Sequence, residues 1–91
     1  MEKILEQIQN ARQELINSYF ELEKEHDSTA KLCDEYMSNM KSTNFDDAKV
    51  KEAFITVERE GTKLREIRVA INELGNALGH LGIETETFWG K

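Results

Sequence analysis

Core-facing residues, most of them apolar, recur along two segments of the chain at alternating steps of three and four positions. In the first segment the row is Leu5, Ile8, Arg12, Leu15, Tyr19, Leu22, His26, Thr29, Cys33, Tyr36 and Met40. In the second it is Val50, Phe54, Val57, Gly61, Leu64, Arg68, Ile71, Gly75, Leu78 and Gly82. Such steps keep a row on one face of an α-helix, whereas a strand needs alternation by two. The pattern predicts an all-α chain with helices at about 2–41 and 46–82.

The two helical segments are separated by the polar stretch Lys-Ser-Thr-Asn-Phe-Asp-Asp at 41–47. Ser, Thr, Asn and Asp compete for backbone hydrogen bonds, so they end one helix and cap the next, with Asp46 or Asn44 as the N-cap. A short connection places consecutive helices side by side and antiparallel. We therefore expect a long antiparallel helical hairpin with arms of about 55–60 Å.

The apolar face of each helix is wider than the contact between two helices requires. Further apolar positions flank the main row at Ile4, Ala11, Ile16, Phe20, Ala30, Leu32, Met37, Ala53, Ile67, Leu74 and Leu81. Two helices cannot cover such faces with each other alone, and large apolar patches in water mark association surfaces. The expected assembly is a homo-oligomeric helical bundle, as a dimer of hairpins or a higher closed oligomer.

The weakest stretch of the first helix is His-Asp-Ser-Thr at 26–29, because these residues form helices poorly and cap them well. A break there would give a three-helix monomer. The core-facing row keeps its phase across this stretch, which favours one continuous helix.

The chain divides into a hairpin domain at 1–82 and a C-terminal tail at 83–91. The tail carries two large aromatic residues, Phe88 and Trp89, in a segment without helical periodicity. Either they fold back onto the end of the bundle, or they anchor into a partner protein, as aromatic residues do at many interfaces. Phe88 and Trp89 are the predicted partner-binding residues.

A Glu-x-x-His motif places Glu23 and His26 on one helix face. Dimetal carboxylate bundles use this unit, with further glutamates from neighbouring helices. Folding the hairpin about 43–44 brings His26 level with Gly61, beside Glu60, and a symmetric dimer would complete the ligand set. Glu23, His26 and Glu60 are therefore candidate metal ligands, although the many glutamates of the chain make a chance motif the simpler interpretation.

Arginines at Arg12 and Arg68 stand where the row predicts apolar residues. Arg12 comes level with Gly75, and the glycine-rich stretch at 75–82 leaves room beside it. A hollow lined by Arg12, Arg68, Asn76 and His80 would suit a small anionic molecule such as a nucleotide. In the competing interpretation the arginines lay their stems on the core, and the glycines only let helices approach closely.

The composition of the chain argues against nucleic acid and membranes as binding partners. Lys and Arg number 12 against 18 Asp and Glu, a net charge of −6, so the clustered positive charge that nucleic-acid binding requires is missing. Apolar runs are too short for a membrane span or a signal peptide, and a lone cysteine fits the cytoplasm. We expect no cofactor.

The function that these patterns favour is that of a small acidic, non-enzymatic interaction protein, which binds or inhibits a partner protein through an oligomeric helical bundle. Regulators, adaptors and accessory proteins of phages or mobile elements are of this kind by analogy. The alternative is an oligomeric bundle that sequesters a small anionic ligand, such as a nucleotide, or a pair of metal ions. A third hypothesis is that the acidic helix mimics nucleic acid. The sign of the charge fits this hypothesis, but the density of negative charge is ordinary for a globular protein.

Overall fold

The computed structural model describes residues 2–38 and 47–90, and the regular structure within these ranges is entirely helical. Helix α1 spans Glu2–Ser38 and helix α2 spans Asp47–His80. The prediction of an all-α chain with two long helices is confirmed. Residues 39–46, which include the predicted ends of both helices at the connection, lie outside the described residues.

The two helices pack against each other in antiparallel orientation. Arg12, near the start of α1, reaches Ile71 in the second half of α2, whereas His26 faces Glu60, farther back along α2. The predicted hairpin and its register are therefore confirmed. The molecule is long and narrow, with extents of 63 × 18 × 14 Å.

Helix α1 continues without interruption through residues 26–29, so the alternative of a three-helix chain is wrong. The hydroxyl of Ser28 donates to the carbonyl of Lys24 at 3.1 Å, and that of Thr29 donates to the carbonyl of Glu25 at 2.9 Å. Because both hydroxyls bond within the preceding turn, they do not compete for the N–H groups that a helix cap would bind.

Helix α2 ends at His80, two residues before the predicted boundary at Gly82. The N–H of Ile83 donates to the carbonyl of Leu78 at 2.9 Å, and the N–H of Gly82 donates to that of Gly79 at 3.1 Å. Gly82 has a φ of +93°. These features form a Schellman turn, in which a left-handed glycine satisfies the last helical carbonyls. The glycine that extended the apolar row is therefore the residue that stops the helix.

The core is a thin layer between the helices. Its buried apolar residues are Tyr19, Cys33, Val50, Ala53, Leu64, Ile71 and Leu78. The centre of this layer is the contact of Tyr19 with Leu64 and Ile71. Within the described residues, neither helix has an apolar stretch that would cross a lipid bilayer.

Candidate protein-interaction site

The C-terminal tail lies in the groove between the two helices at the open end of the hairpin. After the Schellman turn at Gly82 the chain reverses direction, and residues 83–90 run back along α2 without regular structure. The tail contacts both helices, since Glu86 bonds to Arg12 of α1 and Phe88 bonds to Asn72 of α2. The tail is thus a docked segment of the fold.

Asn72 holds the tail by its backbone. Its side-chain Nδ2 donates to the carbonyl of Phe88 at 3.1 Å, and its Oδ1 accepts from the N–H of Phe88 at 2.8 Å. The backbone N–H and carbonyl of Phe88 are thus both hydrogen-bonded, as they would be if Phe88 lay beside a neighbouring strand. Sequence reasoning did not predict this role for Asn72, because nothing in the composition of the tail marks which backbone group an amide will bind.

Arg12 fastens the tail from the other helix. Its Nε donates to the carbonyl of Ile71 at 3.2 Å, and its Nη2 donates to that of Glu86 at 3.1 Å. The predicted level of Arg12 with Gly75 is confirmed, because a Cβ on Gly75 would lie 3.4 Å from Arg12 Nε. The same Cβ would lie 2.7 Å from Thr85 Oγ1, so Gly75 also makes room for the tail.

Phe88 folds back onto the hairpin and completes an aromatic cluster. Its ring lies 5.1 Å from that of Tyr19 at an interplanar angle of 90°, and 5.7 Å from that of Phe20 at 76°. Edge-to-face pairs of this geometry add to the gain from apolar burial. Beyond it, Gly90 is buried with a φ of +91°, and a Cβ there would lie 2.8 Å from Cζ of Tyr19.

Trp89 stands between these two anchored residues and is 73% exposed. Successive side chains of an extended segment point to opposite sides, so the inward position of Phe88 turns Trp89 outward. Of the two predicted arrangements of the tail, Phe88 takes the folded-back one; Trp89 is exposed, and its contact with a partner stays a prediction. The fold therefore presents a large apolar side chain to solvent on a fixed backbone.

Half-buried His26 and buried Glu60 face each other in the middle of the hairpin. The two side chains bring His26 Nδ1 to 3.9 Å from Glu60 Oε1, and among the described residues neither of these buried atoms has a hydrogen-bond partner. The predicted level of His26 with Gly61 is confirmed, because a Cβ on Gly61 would lie 3.6 Å from His26 Cε1. Within the described residues of one chain, no three metal-ligating side chains come together, and Glu23 does not join this pair. A metal site completed by a second chain stays a prediction.

Asn76 and His80 line an open cavity of about 570 Å³ between α2 and the tail. The other lining residues are Gly75, Gly79, Glu84 and Thr85. Arg12 and Arg68 do not line this cavity, and Arg12 directs its guanidinium to backbone carbonyls. The structure therefore brings together two of the four predicted ligand-binding residues, with the carboxylate of Glu84 beside them.

Comparison with known proteins gave no match: no protein-family model, no curated protein and no solved structure is significantly similar to this chain.

Proposed function

We propose that this chain is a non-enzymatic interaction protein, which binds another protein chain through the surface around Trp89 and thereby regulates or inhibits it. The observation that carries the proposal is the exposure of Trp89 between two residues that the fold holds in place. Tryptophan is enriched among the residues that dominate binding energy at protein interfaces. A side chain left in water on an anchored backbone is available for such a contact.

The anchoring of the tail supports this proposal energetically. Association costs free energy for every segment that must be ordered at the interface. Asn72 and Arg12 already fix the backbone of the tail, so a partner that covers Trp89 has only the indole to immobilise. Phe20, which packs on Phe88 and is 40% exposed, extends the apolar contact beside it.

The proposal includes assembly as a homo-oligomeric bundle in the cytoplasm. The wide apolar faces support assembly, since large apolar side chains of both helices are left exposed. The location is supported by Cys33, which is a buried free thiol.

A comparison of two apolar truncations tests the proposed function. The full-length chain, Trp89→Ala and Val69→Ala would each be exposed to a lysate of the source organism, and the mass of the complexes formed would be measured. Val69 is 54% exposed on α2 and serves as the matched control. We expect Trp89→Ala to lose association with any other chain, its own copies included, and Val69→Ala to keep it. Equal association by the two variants would refute the assignment of Trp89.

The second candidate function is binding of a small anionic ligand at the cavity beside Asn76 and His80. Its volume, about 570 Å³, falls within the range of small-molecule sites, which is the observation in its favour. Glu84 in the lining repels an anion. Native mass spectrometry of the chain and of His80→Ala would test this function, because a retained anion should disappear only from the variant.

A further inference from the structure

Among the described residues, four of the nine exposed large apolar side chains share one side of the hairpin. Within each helix a row of buried and half-buried residues repeats every seven positions, at Arg12, Tyr19, His26, Cys33, Val50, Val57, Leu64, Ile71 and Leu78. Residues one or four positions after a member of this row lie on the side that carries the tail. Phe20 and Asn72 contact Phe88, and a Cβ added at Gly75 would meet Thr85, which shows on which side the tail lies. We call it the tail-bearing face.

Four large apolar side chains are exposed on the tail-bearing face, namely Phe20, Met37, Phe54 and Trp89. The tail fills the groove only at the open end of the hairpin, whereas Met37 and Phe54 lie toward the connection between the helices. Small residues, Ala30 and Gly61, separate the two ends of the face and permit close approach of another helix. The face thus has exposed apolar side chains at both ends, and the small residues Ala30 and Gly61 between them.

The charges on the two edges of this face have opposite sign. The α1 edge carries Glu23, Asp27 and Asp34, and the α2 edge carries Lys51, Arg65, Arg68 and one acid, Glu58. In the part of the chain that the structure describes, none of these side chains forms an ion pair. A second hairpin turned by 180° about an axis parallel to the first sets each acidic edge opposite a basic edge. Between the connection and the tail, which itself carries Glu84 and Glu86, the face is therefore electrostatically complementary to itself.

The solvent-exposed surface area of the chain also favours binding of a second copy. The chain exposes 7114 Å², whereas a compact monomer of this mass exposes about 5,400 Å². The excess is about twice the 800 Å² that each partner contributes to a typical stable interface. The elongated hairpin therefore exposes enough surface beyond that of a compact monomer to form the interface of a stable dimer.

We propose that the tail-bearing face binds a second copy of this chain, related by a twofold axis parallel to the hairpin, with Trp89 of each copy covered at the contact. This inference rests on the proposed function, since it uses the surface around Trp89 and specifies the homo-oligomer that the proposed function includes.

The test uses the full chain and its single tryptophan. Sedimentation velocity over a dilution series gives the mass, and the emission maximum of Trp89 reports its burial in the same samples. We expect the mass to double as concentration rises, with a shift of the emission to shorter wavelength. The double variant Arg65→Glu/Arg68→Glu should raise the dissociation constant of the dimer about 100-fold or more, because like charges then face each other.

Two further variants make the test specific. Glu23→Lys/Asp27→Lys should also be monomeric, and an equimolar mixture with Arg65→Glu/Arg68→Glu should regain the dimer, which shows that both chains fold. Arg59→Glu/Lys63→Glu changes the charge equally, but these residues lie off the tail-bearing face, so its dimer should persist.

Three results would overturn the inference: a monomer at every concentration, a dimer whose tryptophan emission does not shift, or failure of the mixture to dimerise. Each leaves the proposed function standing if Trp89→Ala still abolishes a complex with another protein that Val69→Ala keeps. The proposed function itself fails if Trp89→Ala abolishes no complex with another protein, whatever its effect on the dimer.

Discussion

The side-chain amide of Asn72 bonds to both backbone polar groups of Phe88, donating to its carbonyl and accepting from its N–H. This pair fixes the position at which the tail meets the helices, and it places Phe88 against Tyr19 and Phe20. Because Trp89 is the next residue, the same two hydrogen bonds determine which way its indole faces. A polar side chain inside the hairpin therefore controls the exposure of an apolar one outside it.

Asn72→Asp should release the tail. A carboxylate still accepts from the N–H of Phe88, but it cannot donate to the carbonyl and repels it. We expect a loss of about 1–3 kcal/mol in the stability of the docked tail. Amide hydrogen exchange at Phe88 would measure this loss. Asn76→Asp is the control, since Asn76 forms no hydrogen bond with the backbone of tail residues 83–90. Unchanged protection of Phe88 in Asn72→Asp would contradict the role assigned to Asn72.

Arg12→Met should destabilise the tail from the α1 side. The variant removes the donors that bind the carbonyls of Ile71 and Glu86, at an expected cost of about 1–2 kcal/mol. Arg68→Met should be close to neutral, because no hydrogen bond or ion pair of Arg68 is found among the described residues. Urea unfolding of both variants gives the comparison. Equal free energies of unfolding would show that Arg12 contributes only its aliphatic stem.

Gly90→Ala should dislodge the end of the tail. A left-handed φ costs an alanine about 1–2 kcal/mol, and the added Cβ would also press on the ring of Tyr19. Gly82→Ala has nearly the same φ but open space around it, so it should show only the backbone cost. Thermal unfolding and hydrogen exchange at residues 86–90 separate the two effects. A larger loss of tail protection in Gly82→Ala than in Gly90→Ala would be inconsistent with the contact to Tyr19.

Cys33 should make stability fall at alkaline pH. Desolvation by burial, with a smaller effect of the charge of Asp34, raises the pKa of the Cys33 thiol. The unfolded chain therefore releases this proton at lower pH than the folded chain, and the free energy of unfolding decreases as pH rises above the ordinary thiol pKa. Denaturant unfolding at neutral and alkaline pH should show the advantage of the native chain over Cys33→Ala shrinking. An advantage that stays constant with pH would contradict this expectation.

The spacing of core-facing residues was sufficient to predict the two helices and their register. A short polar connection permits only an antiparallel return, so the level of Arg12 with Gly75, and of His26 with Gly61, follows from counting residues along two helices of equal rise. The end of α2 was predicted two residues late because Gly82 fits the apolar row by position. Its left-handed turn depends on hydrogen bonds to Leu78 and Gly79, which periodicity does not contain.

The order of residues was sufficient to predict two long helices, a single reversal of the chain between them, and two aromatic residues after the last helix. These features depend on local periodicity and composition, which can be read directly from the sequence. That Phe88 is covered and Trp89 exposed follows only from the packing of the folded chain, because it depends on Asn72 and Arg12 reaching backbone groups 16 and 74 positions away. Every residue type has a backbone carbonyl, so the amino-acid sequence does not reveal which carbonyls accept a hydrogen bond from a distant side chain. The docking of the tail therefore could not be predicted from the sequence of the tail alone.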